Sequence, residues 1–135
     1  MTKYPIWTTI HKKLREITVE SLELAKTIAK ALDDKKGDSI EVLYVENLTT
    51  LADYFVLASG NSTTQVRALA DEVEETVEKL GLGLPRREGR GGDSWILLDV
   101  GSVVVHVFTK ESREYYQLEK LWGDAPVVSV EEVEE

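Results

Sequence analysis

The sequence predicts one α/β domain built on a mixed β-sheet of about five strands flanked by helices. Three observations carry this. A chain of 135 residues fits one domain and can bury roughly two thirds of its unfolded surface, enough for a core without covalent staples. Helical and strand periodicities alternate in the order α-β-β-α-β-β-β-α, with no internal repeat and no linker. Several successive strands are joined by short turns, which connect only antiparallel neighbours, so the sheet is mixed.

Each element follows from its residues. Spacing of Ile6, Trp7 and Ile10 after Pro5 suggests a helical arm. From Thr18, a plausible N-cap, Val19, Leu22, Ala25, Ala29 and Leu32 recur at helical spacing. Gly37 ends this helix after Lys35 and Lys36, where the helix dipole favours positive charge. The β-branched and aromatic run SIEVLYVEN (39–47) reads as a strand, and LTTLAD turns the chain. In DYFVLASG (53–60), Tyr54, Val56 and Ala58 face one way and Phe55 and Leu57 the other. Both faces are apolar, as in a central strand covered on both sides. Over 61–81, Ser62 and Gln65 have capping-box spacing, and Val66, Leu69, Ala70, Val73, Val77 and Leu80 make one apolar stripe before Gly81 at the C′ position. Residues 82–93 read as a short strand or extended segment entering a glycine-rich loop. The last helix spans 110–123, with Tyr115, Leu118, Leu121 and Trp122 as its apolar stripe. Pro126 stops it, and VVSVEEVEE follows as a short tail, partly disordered at its acidic end.

Composition narrows the function classes. The chain has no cysteine, which excludes a disulfide scaffold, cysteine-based zinc sites and thiol catalysis, and fits a reducing cytosol. No apolar run approaches the ~18 residues of a membrane span. The first residues lack a long apolar stretch and a small-residue cleavage site, so a secretory signal is not expected and the location is taken as cytoplasmic. The net charge of −9 repels phosphate backbones and would attract a basic protein, although many acidic proteins are simply soluble.

DSWILLDVGSVVVHVF (93–108) holds an acid, Asp99, and one of the two histidines, His106. A two-residue turn at Gly101-Ser102 would set Val100 opposite Val103, Asp99 opposite Val104, Leu98 opposite Val105 and Leu97 opposite His106. Alternation then gives a wholly aliphatic face of Ile96, Leu98, Val100, Val103, Val105 and Val107, assigned to the core. The other face mixes Trp95, Leu97, Asp99, Val104, His106 and Phe108. Three readings of that face stay open: a helix of the same chain covers it, a partner docks on it, or it is catalytic.

The enzyme readings are thin. SGNSTTQ between a strand and a helix N-terminus looks like an anion cradle, but neither GxGxxG nor GxxxxGK[ST] is present. A nucleotidyltransferase needs paired carboxylates on a strand for two metal ions, and the sequence offers only Glu88 and Asp99 there. Asp33-Asp34 lies at a helix end among lysines and reads as solvated charge. His106 could be a general base oriented by Asp99 on the neighbouring strand, yet no nucleophile is clearly placed beside them. His11 gives no zinc-like spacing with His106.

Three segments, LADYFVLASGNSTTQVRALADEVEE, WILLDVGSVVVHVF and SREYYQLEKLWGDAPVV, together resemble the ribosomal silencing factor family, also called RsfS or Iojap-like proteins. Each is weak alone; their order, spacing and the ending REYYQLEKLWGDAP make the combination specific. The resemblance implies a nucleotidyltransferase-like fold without the catalytic acids, and a non-enzymatic regulator with no cofactor, metal, membrane or small-molecule substrate. It implies a partner, the large ribosomal subunit, met through that subunit's protein fourteen, with joining of the small subunit blocked sterically and translation repressed. A role in large-subunit biogenesis and a homodimer are also implied for some members. Carried over onto this sequence, the partner-binding residues are Glu88, Trp95, Leu97, Asp99, His106, Tyr116 and Lys120. Trp95 would be the aromatic anchor, and Glu88 and Asp99 would pair with partner lysines or arginines. The arginines of REGRGGDSW would touch ribosomal RNA locally. The resemblance places the domain at 17–128, with an N-terminal extension over 1–16 and an acidic tail over 129–135. Two alternatives remain: a nucleotidyltransferase-like enzyme, or a dimeric adaptor with another partner.

Overall fold

The computed structural model describes residues 21–128, apart from the side chains of Glu119 and Leu121. The expected arm after Pro5, the Thr18 cap, Val19, the extension over 1–16, the tail over 129–135 and the side chain of Leu121 lie outside the described residues. The described chain runs through a helix, α1, over 21–34, then β1 (Asp38–Tyr44), β2 (Tyr54–Gly60), α2 (Thr63–Lys79), β3 (Arg86–Arg90), β4 (Trp95–Asp99) and β5 (Val103–Thr109), followed by α3 (Lys110–Tyr116), α4 (Leu118–Leu121) and β6 (Val127–Val128). One sheet holds six strands in the order β3-β4-β5-β2-β1-β6. It is mixed: β2 and β5 are parallel neighbours, and the other pairs are antiparallel. The sixth strand corrects the reading of VVSVEEVEE as a tail, because Val127 and Val128 pair with Leu43 and Val42.

Alternation along the strands makes two cores. On one face, Val42, Tyr54, Val56, Ala58, Ile96, Leu98, Val103, Val105 and Val107 pack beneath Ala25, Ile28, Ala29 and Leu32 of α1 and Val66, Leu69, Ala70, Val73 and Val77 of α2. On the other, Leu43, Phe55, Leu57, Val104 and Phe108 meet Leu118 and Ala125, with Trp122 partly buried against them. Burying each such Val, Leu or Phe is worth roughly 1.5–3 kcal/mol, so both layers matter to stability. Strand β2 is buried along its whole length, as its two apolar faces predict.

The helix ends show where local chemistry decides. Ser62 Oγ accepts from the Gln65 N–H at 3.2 Å, capping α2, while Gln65 Oε1 reaches back to the Asn61 N–H at 2.6 Å. At its other end Gly81 N–H donates to Glu78 O and Leu82 N–H to Val77 O, the paired bonds of a Schellman ending. Leu80, assigned to the apolar stripe, is instead the half-exposed C-cap. At the end of α1 the left-handed residue is Lys36, with φ 67°, and not Gly37. Gly37 serves close approach: its N–H donates to Leu32 O at 2.8 Å, and a Cβ there would sit 3.0 Å from that oxygen. No helix among the described residues is long and apolar enough to cross a membrane.

Candidate functional site

The β4–β5 hairpin has the register its sequence predicts. Asp99 pairs with Val104, Leu98 with Val105 and Leu97 with His106. Gly101 takes φ +84°, which a side chain would resist, and Asp99 Oδ1 accepts from the Gly101 N–H at 2.9 Å, tying the turn. Strand β3 continues the sheet outward, setting Arg90 beside Trp95, Glu88 beside Leu97 and Arg86 beside Asp99. The mixed face is therefore a grid. Among the described residues, its inner part lies under the chain after β5, and its outer part, on β3 and β4, does not: Phe108 is fully buried, Val104 is 8% exposed, and Trp95, Leu97 and Asp99 are half-buried.

What covers the inner part is a broken helix. The single helix expected over 110–123 is two: α3 stops at Gln117, which adopts φ 49°, ψ 47°, and α4 starts there. Thr109 Oγ1 caps α3 by accepting from the Ser112 N–H at 3.1 Å. The left-handed residue redirects the chain, so that Leu118, Trp122 and Ala125 turn down onto Phe55 and Val104, while Tyr116 at the end of α3 reaches the edge of Trp95's surroundings. This corrects the expected stripe: Tyr115 is 81% exposed, although Leu118 is buried as expected. Tyr116 stays at the surface with its ring 4.8 Å from that of Trp95.

Trp95 is the centre of the arrangement. Its ring contacts Tyr116, Phe108 at 5.3 Å and His106 at 5.9 Å, and the Arg90 guanidinium lies 5.6 Å from its centroid. Its Nε1–H donates to His106 Nδ1 at 3.2 Å. That bond makes Nδ1 the acceptor and puts the proton of the neutral imidazole on Nε2. His106 is 4% exposed, stacked on Phe108 and edge-on to Phe55 at 5.0 Å, and its Nε2 has no hydrogen-bond partner among the described residues. Burial pushes its pKa down to about 4, so the ring is neutral at pH 7.

The structure sorts the expected site residues. Glu88, Trp95 and Leu97 lie on one strip with Asp99 at its far end, roughly 13 Å along the strand from Trp95. Tyr116 joins them from α3. Lys120 lies beyond the Gln117 break, lining a hollow with Ser59 and Arg113. His106 lies beneath the strip, buried and bonded to Trp95. The Asp99–His106 pair considered for base catalysis is not formed: Asp99 holds the turn and His106 holds Trp95. Of the loop arginines, Arg87 points to the opposite face and clamps Asp71 at 2.7 Å and Glu74 at 2.8 Å, while Arg90 stays on the strip, 3.3 Å from Glu88. Sequence reasoning missed Tyr115 and Arg86 as members of the exposed strip. Arg86 was within reach, since it takes the strand alternation of Glu88; Tyr115 was hidden by the helix break.

Comparison with known proteins gives consistent findings. A family model described as "Ribosomal silencing factor during starvation" matches residues 18–135. The chain is 44% identical to the ribosomal silencing factor RsfS of Halalkalibacterium halodurans over 111 residues, covering 82% of this chain and 95% of that protein. It is 44% identical to the protein of the same name from Bacillus subtilis over 108 residues, covering 80% and 92%. A crystal structure of a Chromobacterium violaceum protein superposes with a TM-score of 0.73 at 39% identity, covering 76% of this chain and 86% of that one.

Proposed function

Because the chain belongs to the ribosomal silencing factor family, we propose that it represses translation by occupying the large ribosomal subunit and excluding the small one. The observation that carries this reading is the strip that the described residues leave open: a half-buried tryptophan held from below and flanked by exposed tyrosines and charges. A preset aromatic anchor with a charged rim suits docking on a protein. Trp95 enters the partner, Leu97 and Tyr116 widen the apolar contact, and Glu88 and Asp99 meet lysines or arginines. Lys120 contributes at the margin. His106 acts from beneath by fixing the indole. The partner is protein fourteen of the large subunit, a basic protein that a chain of net charge −9 would attract. Arg90 is placed to touch a neighbouring phosphate of ribosomal RNA. The mechanism needs position and bulk rather than chemistry, and the protein works in the cytoplasm, with large-subunit assembly as a further role of the same contact.

The deciding experiment is sedimentation of purified subunits with saturating protein, at a magnesium level that permits joining. The joined fraction is expected to fall, and Trp95→Ala is expected to restore it. An unchanged joined fraction would sink the proposal. If the protein then sediments as a dimer that Trp95→Ala dissociates, the strip serves self-association and the adaptor reading replaces this one.

A further inference from the structure

Helices α1 and α2 share one face of the sheet and run in opposite directions. Gln65 Nε2 donates to Lys36 O at 3.2 Å, and a Cβ at Gly37 would lie 3.4 Å from Leu69 Cδ2, so the end of α1 meets the start of α2. Leu80 stands 15 positions after Gln65 (80 less 65) and Ser21 stands 15 before Lys36 (36 less 21), about 22 Å along either helix. Ser21 therefore lies at the end of the domain where α2 gives way to the loop before β3. That loop exposes leucines: Leu80 is 50% exposed, Leu82 57% and Leu84 69%. The Schellman bonds fix its start, and Gly81 and Gly83 take φ +79° and +77°. A Cβ built at either glycine would meet nothing within 4 Å, so the flank of the loop is open among the described residues. Three leucines held this close together at a helix end form an apolar patch of the kind that marks a contact.

We propose that residues 6–17 of the same chain dock on Leu80, Leu82 and Leu84 as an amphipathic helix. The occupant follows from sequence and reach. At helical spacing Ile6, Trp7, Ile10, Leu14 and Ile17 fall within an arc of about 100°, a stripe that needs an apolar surface to cover. Thr18, expected as the cap of α1, ends the stripe and lets the chain turn back. Only residues 18–20 separate Ile17 from Ser21, so the stripe is tethered beside the leucines at an effective concentration on the order of millimolar. Other apolar ground is less suited. The Trp95 strip lies on the opposite face of the sheet, and Leu48 and Leu51 stand in a loop whose buried residues, Val45 and Ala52, belong to that face's core. Charge favours the same place. Lys12, Lys13 and Arg15 make the segment basic in a chain of net charge −9. Along α2, Asp71, Glu72, Glu74 and Glu75 are paired with Arg87, Lys35 and Lys79, whereas the exposed Glu78 carboxylate has no partner among the described residues. Lys13, at the margin of the arc, is expected to meet it. The family match begins at residue 18, so the docking segment lies before it.

The test is paramagnetic broadening in the full chain. The chain has no cysteine, so Thr8→Cys gives a single attachment point for a nitroxide, on the side of the helix away from the stripe. In the isotope-labelled chain the amides of Glu78, Gly81, Leu82 and Leu84 are expected to lose most of their intensity, while those of Leu51, Trp95 and Tyr116 keep theirs. Leu82→Asp combined with Leu84→Asp changes two exposed positions and spares the core. That variant should restore the intensity at Glu78 and Gly81 and leave the rest of the spectrum in place. A mixture of spin-labelled chain without isotope and isotope-labelled chain without nitroxide should show no broadening. Full intensity over residues 78–84, broadening centred on Leu51 or Trp95, or broadening that persists in the double variant would each overturn the proposal. Broadening in the mixture would overturn it too, assigning the patch to a second copy. No ribosome enters the measurement, so its outcome and that of the silencing assay are independent.

Discussion

At the scale of single residues, the Trp95–His106 pair sets what the surface can do. His106 accepts from the indole and stays neutral, its pKa lowered from 6.5 to about 4 by burial. The sign follows from linkage. Unfolded chain takes up the proton as pH falls below about 6.5, whereas folded chain resists until about 4. The stability tied to His106 is thus complete above pH 6.5 and is lost as pH falls towards 4, a loss of about 3 kcal/mol across that window. Urea unfolding at pH 7 and pH 4.5 checks this: His106→Asn should be less stable than wild type at pH 7 but lose less on acidification. For Trp95, replacement by Ala should weaken large-subunit binding about tenfold or more, measured by co-pelleting. Trp95→Phe keeps a ring against Phe108 and controls for folding. The membership of the mixed face was legible in the alternation from Trp95 to Phe108. Which of its members see solvent was not, because that depends on where a later segment lies.

At the scale of elements, legibility follows how local each signal is. Helix α2 could be read almost throughout, Leu80 excepted, since its cap, stripe and glycine stop lie within its own sequence. The break at Gln117 could not, because glutamine carries no local preference for the left-handed region and is held there by packing of Leu118 and Trp122 on the sheet. Strand β6 is two residues long and exists only through pairing with β1, so no periodicity announces it. The break makes its own prediction. Gln117→Gly removes the left-handed penalty and should leave stability unchanged or raise it by up to about 1 kcal/mol. Gln117→Val should lower it by about 1 kcal/mol or more, since β-branched residues fit this region poorly. Thermal unfolding of the two variants should therefore bracket the wild type; coinciding midpoints would show that the turn is not held in this conformation in solution.

At the scale of the whole molecule, charge and topology are the governing facts. Net charge of −9 should make association with a basic partner fast and salt-sensitive. Its rate constant is expected to fall by about an order of magnitude on raising salt well above physiological strength, measurable by stopped flow. The order of elements as far as α3 was legible from the sequence, but the parallel joining of β2 to β5 was not, because nothing within either strand names a partner so far away. That seam has a kinetic meaning. Tyr54 pairs with Val103 and Gly60 with Thr109, 49 residues apart in each case. The β1–β2, β3–β4 and β4–β5 pairings are all hairpin-like and close over short spans. Two local sheets can therefore form early and independently, and the molecule commits to its fold only when the long loop between them closes, the slow and entropically costly event. Substitutions along Val56 and Val105 should act on the rate of folding, while those at the outer strand β3 should act on the rate of unfolding.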